Sequence, residues 1–132
     1  EIGHGKFTTV YKGRKRHTIR YVAIKCIDKA RRDKVMVEVS VLSQLRHQNV
    51  VGFCNWYETQ NHLWIIFEYC AGGDLFHLLK QDGCLPEGQV RHFGRDICAG
   101  LLHVQSRGVV YADLKPTNVL LDENGALKLC DF

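Results

Sequence analysis

Tyr111-Ala112-Asp113-Leu114-Lys115-Pro116-Thr117-Asn118 sets a carboxylate, an ammonium and an amide within six residues, Asp113 to Asn118. Pro116 cannot sit inside a helix or a central strand, so the stretch reads as a loop. A carboxylate there can take a proton from a hydroxyl, an ammonium can neutralise charge on a transferring group, and an amide oxygen can ligate a hard cation. Asp131-Phe132 adds a second carboxylate shortly afterwards. Base, cation and two oxygen ligands are the parts that phosphoryl transfer asks of a protein.

Around this loop, Val109-Val110, Val119–Leu121 and Leu127–Leu129 read as brief strands, with Asp122-Glu123-Asn124-Gly125 as a turn between the last two. Upstream, Pro86 opens a long helix that Gly108 is placed to end, with Val90, Phe93, Ile97, Leu101 and Val104 as its apolar stripe. Before that, Asp74 is the N-cap of a short helix to Lys80, following the flexible joint Ala71-Gly72-Gly73. The first third differs in kind. Residues 1–28 alternate β-branched or aromatic with polar residues and carry glycines 3, 5 and 13, the pattern of an antiparallel sheet. From Arg31 to Leu45 the period becomes helical, with Val35, Val39, Leu42 and Leu45 on one face and Glu38 at its border. Strands around Val51–Glu58 and His62–Glu68 follow.

Two features of the sheet region bear on chemistry. In Ile2-Gly3-His4-Gly5-Lys6-Phe7-Thr8-Thr9-Val10 a glycine pair lets backbone N–H groups approach phosphate oxygens, although a plain glycine-containing hairpin accounts for the pair equally well. Val22-Ala23-Ile24-Lys25 puts an ammonium in a strand between apolar neighbours, which is costly unless it is paired or reaches an anion. Glu38 is its natural partner; the plain alternative is a surface lysine whose stem lies along the sheet.

Taken together and in this order, glycine loop, strand lysine, Asp-x-Lys-x-x-Asn and Asp-Phe match the protein-kinase signature. The chain resembles a eukaryotic protein kinase over essentially all its residues, up to the Asp-Phe of the Asp-Phe-Gly motif. Asp113-Leu114-Lys115-Pro116 is similar to the serine/threonine form of the catalytic loop. The stretch Trp56-Tyr57-Glu58-Thr59-Gln60-Asn61-His62-Leu63-Trp64, together with Tyr111-Ala112-Asp113, resembles the unc-51-like, Fused and Runkel branch.

The resemblance implies an α+β, two-lobed fold. Residues 1–70 would form an N-lobe of five strands and one helix, and residues 71–132 part of a C-lobe. It implies Mg-ATP as phosphoryl donor and serine or threonine hydroxyls of proteins as acceptors. Gly3 and Gly5 would cover the phosphates, with Lys25 holding them against Glu38. Asp113 would orient the hydroxyl, and Lys115 would neutralise the transferred group. Asn118 and Asp131 would hold magnesium. Ile2, Val10, Ala23 and Leu120 would enclose adenine behind Phe67, with Glu68 and Cys70 offering backbone hydrogen bonds and Asp74 reaching the ribose.

Two departures stand out. Tyr111-Ala112 replaces the usual His-Arg, removing the arginine that pairs with a phosphorylated activation loop, and Thr8 replaces the third glycine. They motivate an alternative in which the domain is a pseudokinase-like, ATP-binding scaffold.

Composition narrows the field without naming a partner. A net charge of +4 is too mild to argue for nucleic acid, and the longest apolar run, near Leu63–Phe67, is far too short to span a membrane. Six cysteines, none closer than fourteen residues to another, form neither CxxC nor a zinc ligand pattern; reduced thiols and a cytoplasmic setting are the default. The Fused and Runkel likeness adds cytoskeletal or microtubule-linked partners. Glu1 in place of Met, and an end at Phe132, suggest a piece of a longer chain, so these 132 residues alone are expected to give no useful turnover.

Overall fold

The computed structural model describes residues 1–132. It divides into two compact units, Glu1–Gln44 with Gly52–Tyr69, and Leu45–Val51 with Cys70–Phe132.

In the first unit, β1 (Gly3–Gly5), β2 (Thr8–Arg14), β3 (Tyr21–Asp28), β4 (Phe53–Glu58) and β5 (His62–Glu68) pair antiparallel in the order β1-β2-β3-β5-β4. Side chains alternate across a strand, so Leu63 and Ile65 of β5 share one buried face. That face meets Val35 and Val39 of helix α1 (Arg32–Leu42), and with Ile27 they make the core, flanked by Phe53, Trp56 and Phe67. A 3-10 turn, Lys29–Arg31, leads into α1, and Asp28 caps it by accepting from the Ala30 N–H at 2.8 Å.

The helix stops short of the Leu45 that its periodicity predicts. Ser43 Oγ and Gln44 Nε2 both donate to the Ser40 carbonyl, at 2.8 and 3.2 Å, offering that carbonyl partners other than a further helical turn. Leu45 is buried all the same, as the first residue of a segment that belongs to the second unit. That segment is held by β7: Leu129 N–H donates to the Asn49 carbonyl at 3.0 Å, Val51 N–H to the Leu129 carbonyl at 2.9 Å, and Asn49 Nδ2 to the Leu127 carbonyl at 2.9 Å.

The second unit contains α2 (Leu75–Asp82), α3 (Glu87–Ser106) and a two-stranded hairpin of β6 (Val119–Leu121) and β7 (Leu127–Leu129). Asp74 is the N-cap of α2, its carboxylate accepting from the His77 N–H at 2.9 Å. Pro86 lies just ahead of α3, and Gly108, at φ +72°, takes the left-handed conformation that follows its end. In the hairpin turn Asp122 Oδ1 accepts from the Asn124 and Ala126 N–H groups, at 2.8 and 2.9 Å. Phe93 of α3 and the inward residues of both strands form the core, with Ile97 and Leu101 packed against it. Two expectations fail. Val90 is exposed because the apolar cluster begins one turn later, at Phe93, and Val109-Val110 forms no strand, since Val109 N–H closes back on the Val104 carbonyl of α3.

The glycines of α3 are not equivalent. A Cβ on Gly100 would stand 2.7 Å from the Asn49 carbonyl oxygen and 3.0 Å from the Leu129 side chain, whereas one on Gly94 meets nothing within 4 Å. Gly94→Ala is therefore expected to raise the melting temperature, by about 0.5–1 kcal/mol of added stability. Gly100→Ala is expected to lower it, by about 1–3 kcal/mol, because the backbone it strikes cannot rotate away. Thermal melts of the two variants side by side check this.

Candidate functional site

Within the first unit, the middle of β3 carries Lys25, opposite Val10 on one side and Ile65 on the other. Its side chain is only 15% exposed and that of Glu38 22%, and their charged atoms lie 3.4 Å apart. A lysine so placed needs a counter-charge, and α1 supplies it from the face that also buries Val35 and Val39. Gly3 and Gly5 lie in register with Val10 and Thr8, and a Cβ on Gly5 would come 2.7 Å from Thr8 Oγ1. Ile2 N–H donates to the Val10 carbonyl at 2.8 Å. Ala23 stands opposite Phe67, whose ring meets Phe53 edge-on. Glu68 binds Gly52 twice, its N–H donating to the Gly52 carbonyl and its carboxylate accepting from the Gly52 N–H, both at 2.9 Å. Gly3, Gly5, Val10, Ala23, Lys25, Glu38, Phe67 and Glu68 thus all lie on one sheet and its helix.

In the second unit the loop quoted at the outset closes on itself. Asp113 Oδ2 accepts from Lys115 at 2.8 Å and from Asn118 Nδ2 at 2.9 Å, and the Asp113 carbonyl takes the same amide at 3.0 Å. Lys115 and Asn118 hold the Asp113 carboxyl below the usual carboxylate range, and Asp113 in turn raises the Lys115 ammonium. Asn118 is buried at the end of the 3-10 turn Pro116–Asn118, while Asp113 is 61% exposed on its side chain, so a fixed amide aims an accessible carboxylate.

Tyr111 ties this loop to the chain around Asp131. Its phenol donates to the Cys130 carbonyl at 2.6 Å, and its ring lies 4.9 Å from that of Phe132. Cys130 N–H donates to the Asn118 carbonyl at 3.0 Å. Asp131 therefore sits between two residues that Tyr111 holds, with its own backbone at φ +55°. Burial, aided by the nearby Cys130, Asp131 and Asp113, pushes the Tyr111 phenol up, so it remains a neutral donor through the physiological range. In the sequence Tyr111 stands out only as a departure from the usual His-Arg pair. Its hydroxyl, which distinguishes tyrosine from phenylalanine, was the available signal for a bonding role.

Leu120 pairs with Lys128 and bridges to Asp74. Asp74 is already engaged as the α2 cap and by His77 Nδ1 at 2.7 Å, and Cys70 is buried. No disulfide joins any of the six cysteines.

The protein kinase domain pattern matches residues 1–132. The chain belongs to the protein kinase family. Among its curated relatives, serine/threonine-protein kinase RUNKEL of Arabidopsis thaliana is 54% identical over 99% of this chain and 10% of that protein. Serine/threonine-protein kinase ULK4 of Mus musculus is 45% identical over 100% of the chain and 10% of that protein. The chain thus spans about a tenth of the length of these kinases. Among solved structures, Rad53 1-466 in complex with AMP-PNP superposes with a TM-score of 0.89 at 33% identity, covering 99% of this chain and 36% of that one. The fold is therefore that of a protein kinase, with the five-stranded sheet and single helix of an N-lobe in the first unit.

Two outcomes follow for this kinase domain. Tyr111→Phe removes a donor from the half-buried Cys130 carbonyl and should lower stability by about 0.5–1.5 kcal/mol in a denaturant melt. By carbon-13 NMR, the Asp113 carboxyl should titrate below an unperturbed aspartate, and Lys115→Met should bring it back up. The depressed folded value means that the Asp113–Lys115 contribution is present above the unfolded aspartate pKa and is lost as pH falls through the folded one.

Proposed function

We propose that the protein containing this domain transfers the γ-phosphoryl group of Mg-ATP to serine or threonine hydroxyls of proteins. The observation that carries this is the accessible Asp113 carboxylate, paired with Lys115 and aimed by the buried Asn118 amide. An acceptor hydroxyl hydrogen-bonded to Asp113 is oriented for in-line attack and gives its proton to that carboxylate as its oxygen bonds to the γ-phosphorus and the bond from that phosphorus to the β,γ-bridging oxygen breaks, releasing ADP. Lys115, beside it, offsets charge on the transferring oxygens. Lys25, set by Glu38, holds the α and β phosphates, with the Gly3–Gly5 strand above them. Ile2, Val10, Ala23, Phe67 and Leu120 supply apolar surface for adenine, and Glu68 and Cys70 backbone hydrogen bonds.

The donor set fits magnesium. With Asn118 Nδ2 committed to Asp113, the amide oxygen is the atom left to ligate a cation, and the Asp131 carboxylate is a second hard oxygen donor. No cluster of three or more His, Cys, Asp or Glu side chains offers a metal site independent of a nucleotide. Asn118 and Asp131 would hold magnesium, which would supply neutralisation of the charge that develops on the transferring phosphoryl group. Asp74, already occupied as a helix cap, would reach a ribose only by sharing its carboxylate.

Retention of Lys25, Glu38, Asp113, Asn118 and Asp131 supports transfer over a nucleotide-binding scaffold. Ala112 leaves no guanidinium for a phosphorylated activation loop, so activity should not depend on that pairing. The branch resemblance supports, as part of this proposal, cytoskeletal or microtubule-linked proteins of the cytoplasm as substrates.

Full-length protein and its Asp113→Asn variant test this by transfer of labelled γ-phosphate to a generic serine/threonine substrate, with Mg-ATP binding followed in parallel. Transfer is expected to fall by about 10²–10⁴-fold in the variant while binding stays. Binding without transfer above the variant would mean a scaffold instead.

A further inference from the structure

The turn joining β1 to β2 is two residues long, Lys6 and Phe7, between the paired Gly5 and Thr8. Two-residue hairpin turns match the twist of their strands best when central residues take positive φ. Neither does here, since His17 and Asp131 are the only non-glycine residues in that region. Thr8, β-branched, adds no freedom. The loop's own sequence therefore does little to fix its tip, and the Phe7 ring is 53% exposed.

What meets that ring is Arg31. Its guanidinium carbon lies 4.4 Å from the Phe7 centroid, inside the range of a cation–π contact. Arg31 closes the 3-10 turn and stands immediately ahead of α1. Its neighbours are committed elsewhere: Lys29 and Arg32 reach the Glu58 carboxylate at 2.7 and 3.4 Å, a pairing in which Arg31 takes no part. Lys6 places a second cation 5.3 Å from the same ring, but from within the turn itself, so it cannot tether the tip to anything else.

We propose that Arg31 is a positioning residue for the nucleotide, latching the glycine loop through Phe7 to the leading end of the helix that carries Glu38. The proposal rests on the ATP reading of this loop given above. Arg31 and Glu38 are about two helical turns apart, so one rigid element sets both the loop tip and the carboxylate that holds Lys25. A loop already held in place leaves less ordering to be done when phosphates bind, and binding is tighter by that amount.

The test uses full-length protein with Arg31→Ala, Arg31→Lys, Phe7→Leu and the Arg31→Ala/Phe7→Leu double variant. A contact of this kind corresponds to about a two- to five-fold change. For Arg31→Ala, the KM for ATP and the Kd of a non-hydrolysable Mg-ATP analogue should rise by that factor with kcat unchanged. Phe7→Leu should match it, the double variant should be no worse than either, and Arg31→Lys should recover most of the loss. Without nucleotide, hydrogen exchange across Gly3–Val10 should quicken in Arg31→Ala and not in Arg31→Lys. Unchanged KM, additive losses in the double variant, or no rescue by lysine would overturn the latch. Wild-type protein that binds no Mg-ATP would overturn the positioning role together with the functional reading, and the exchange measurement then decides the latch by itself.

Discussion

A single buried amide organises the chemistry of the second unit. Asn118 gives its Nδ2 to two oxygens of Asp113, one on the side chain and one on the backbone, while its backbone carbonyl receives the Cys130 N–H. Burying a polar side chain is tolerable only when its hydrogen bonds are made, so the loop has one conformation in which Asn118 is satisfied. That conformation presents Asp113 outward beside Lys115 and brings the Cys130-Asp131 backbone alongside. Tyr111 completes it from the other end, donating to the Cys130 carbonyl across the same junction.

The first unit answers a different electrostatic problem. Lys25 lies in the central strand of the sheet, on the same face as the apolar Ile27, Leu63 and Ile65, and its ammonium is largely shielded. Removing such a charge from water costs several kcal/mol unless a partner is at hand. Glu38 meets that need only because α1 packs Val35 and Val39 against Leu63 and Ile65, which fixes how the helix is rotated over the strands. Apolar packing thus sets the position of a polar pair.

Much of this was legible before any coordinates. Alternation in residues 1–28 and the three-four spacing of Val35, Val39 and Leu42 report burial directly, and the elements follow. Asp74, Gly108 and the Asp122–Gly125 turn carry residue types that satisfy backbone groups locally, so their structural roles were readable in place. Where expectation and structure part, the deciding contact is distant in sequence or made by a neighbouring turn. Leu45 looks like a fourth residue of the α1 stripe, but the segment it begins is bonded to β7, more than seventy residues on. Val109-Val110 has strand composition and no strand to pair with.

The same division holds for the site. Asp113, Lys115, Asn118 and Asp131 were identifiable from order and spacing, because a short loop can bring only nearby residues to one point and the required chemistry restricts their types. The bonding of Tyr111 to Cys130 and the stacking of Arg31 on Phe7 were not, since each joins residues about twenty positions apart and turns on where a side chain ends up after the core has packed. Local sequence determined which groups this protein has and in what loops it holds them. Tertiary structure alone decided which of those groups are buried, and hence which must be paired, because desolvation is a property of the packed chain and not of any one segment.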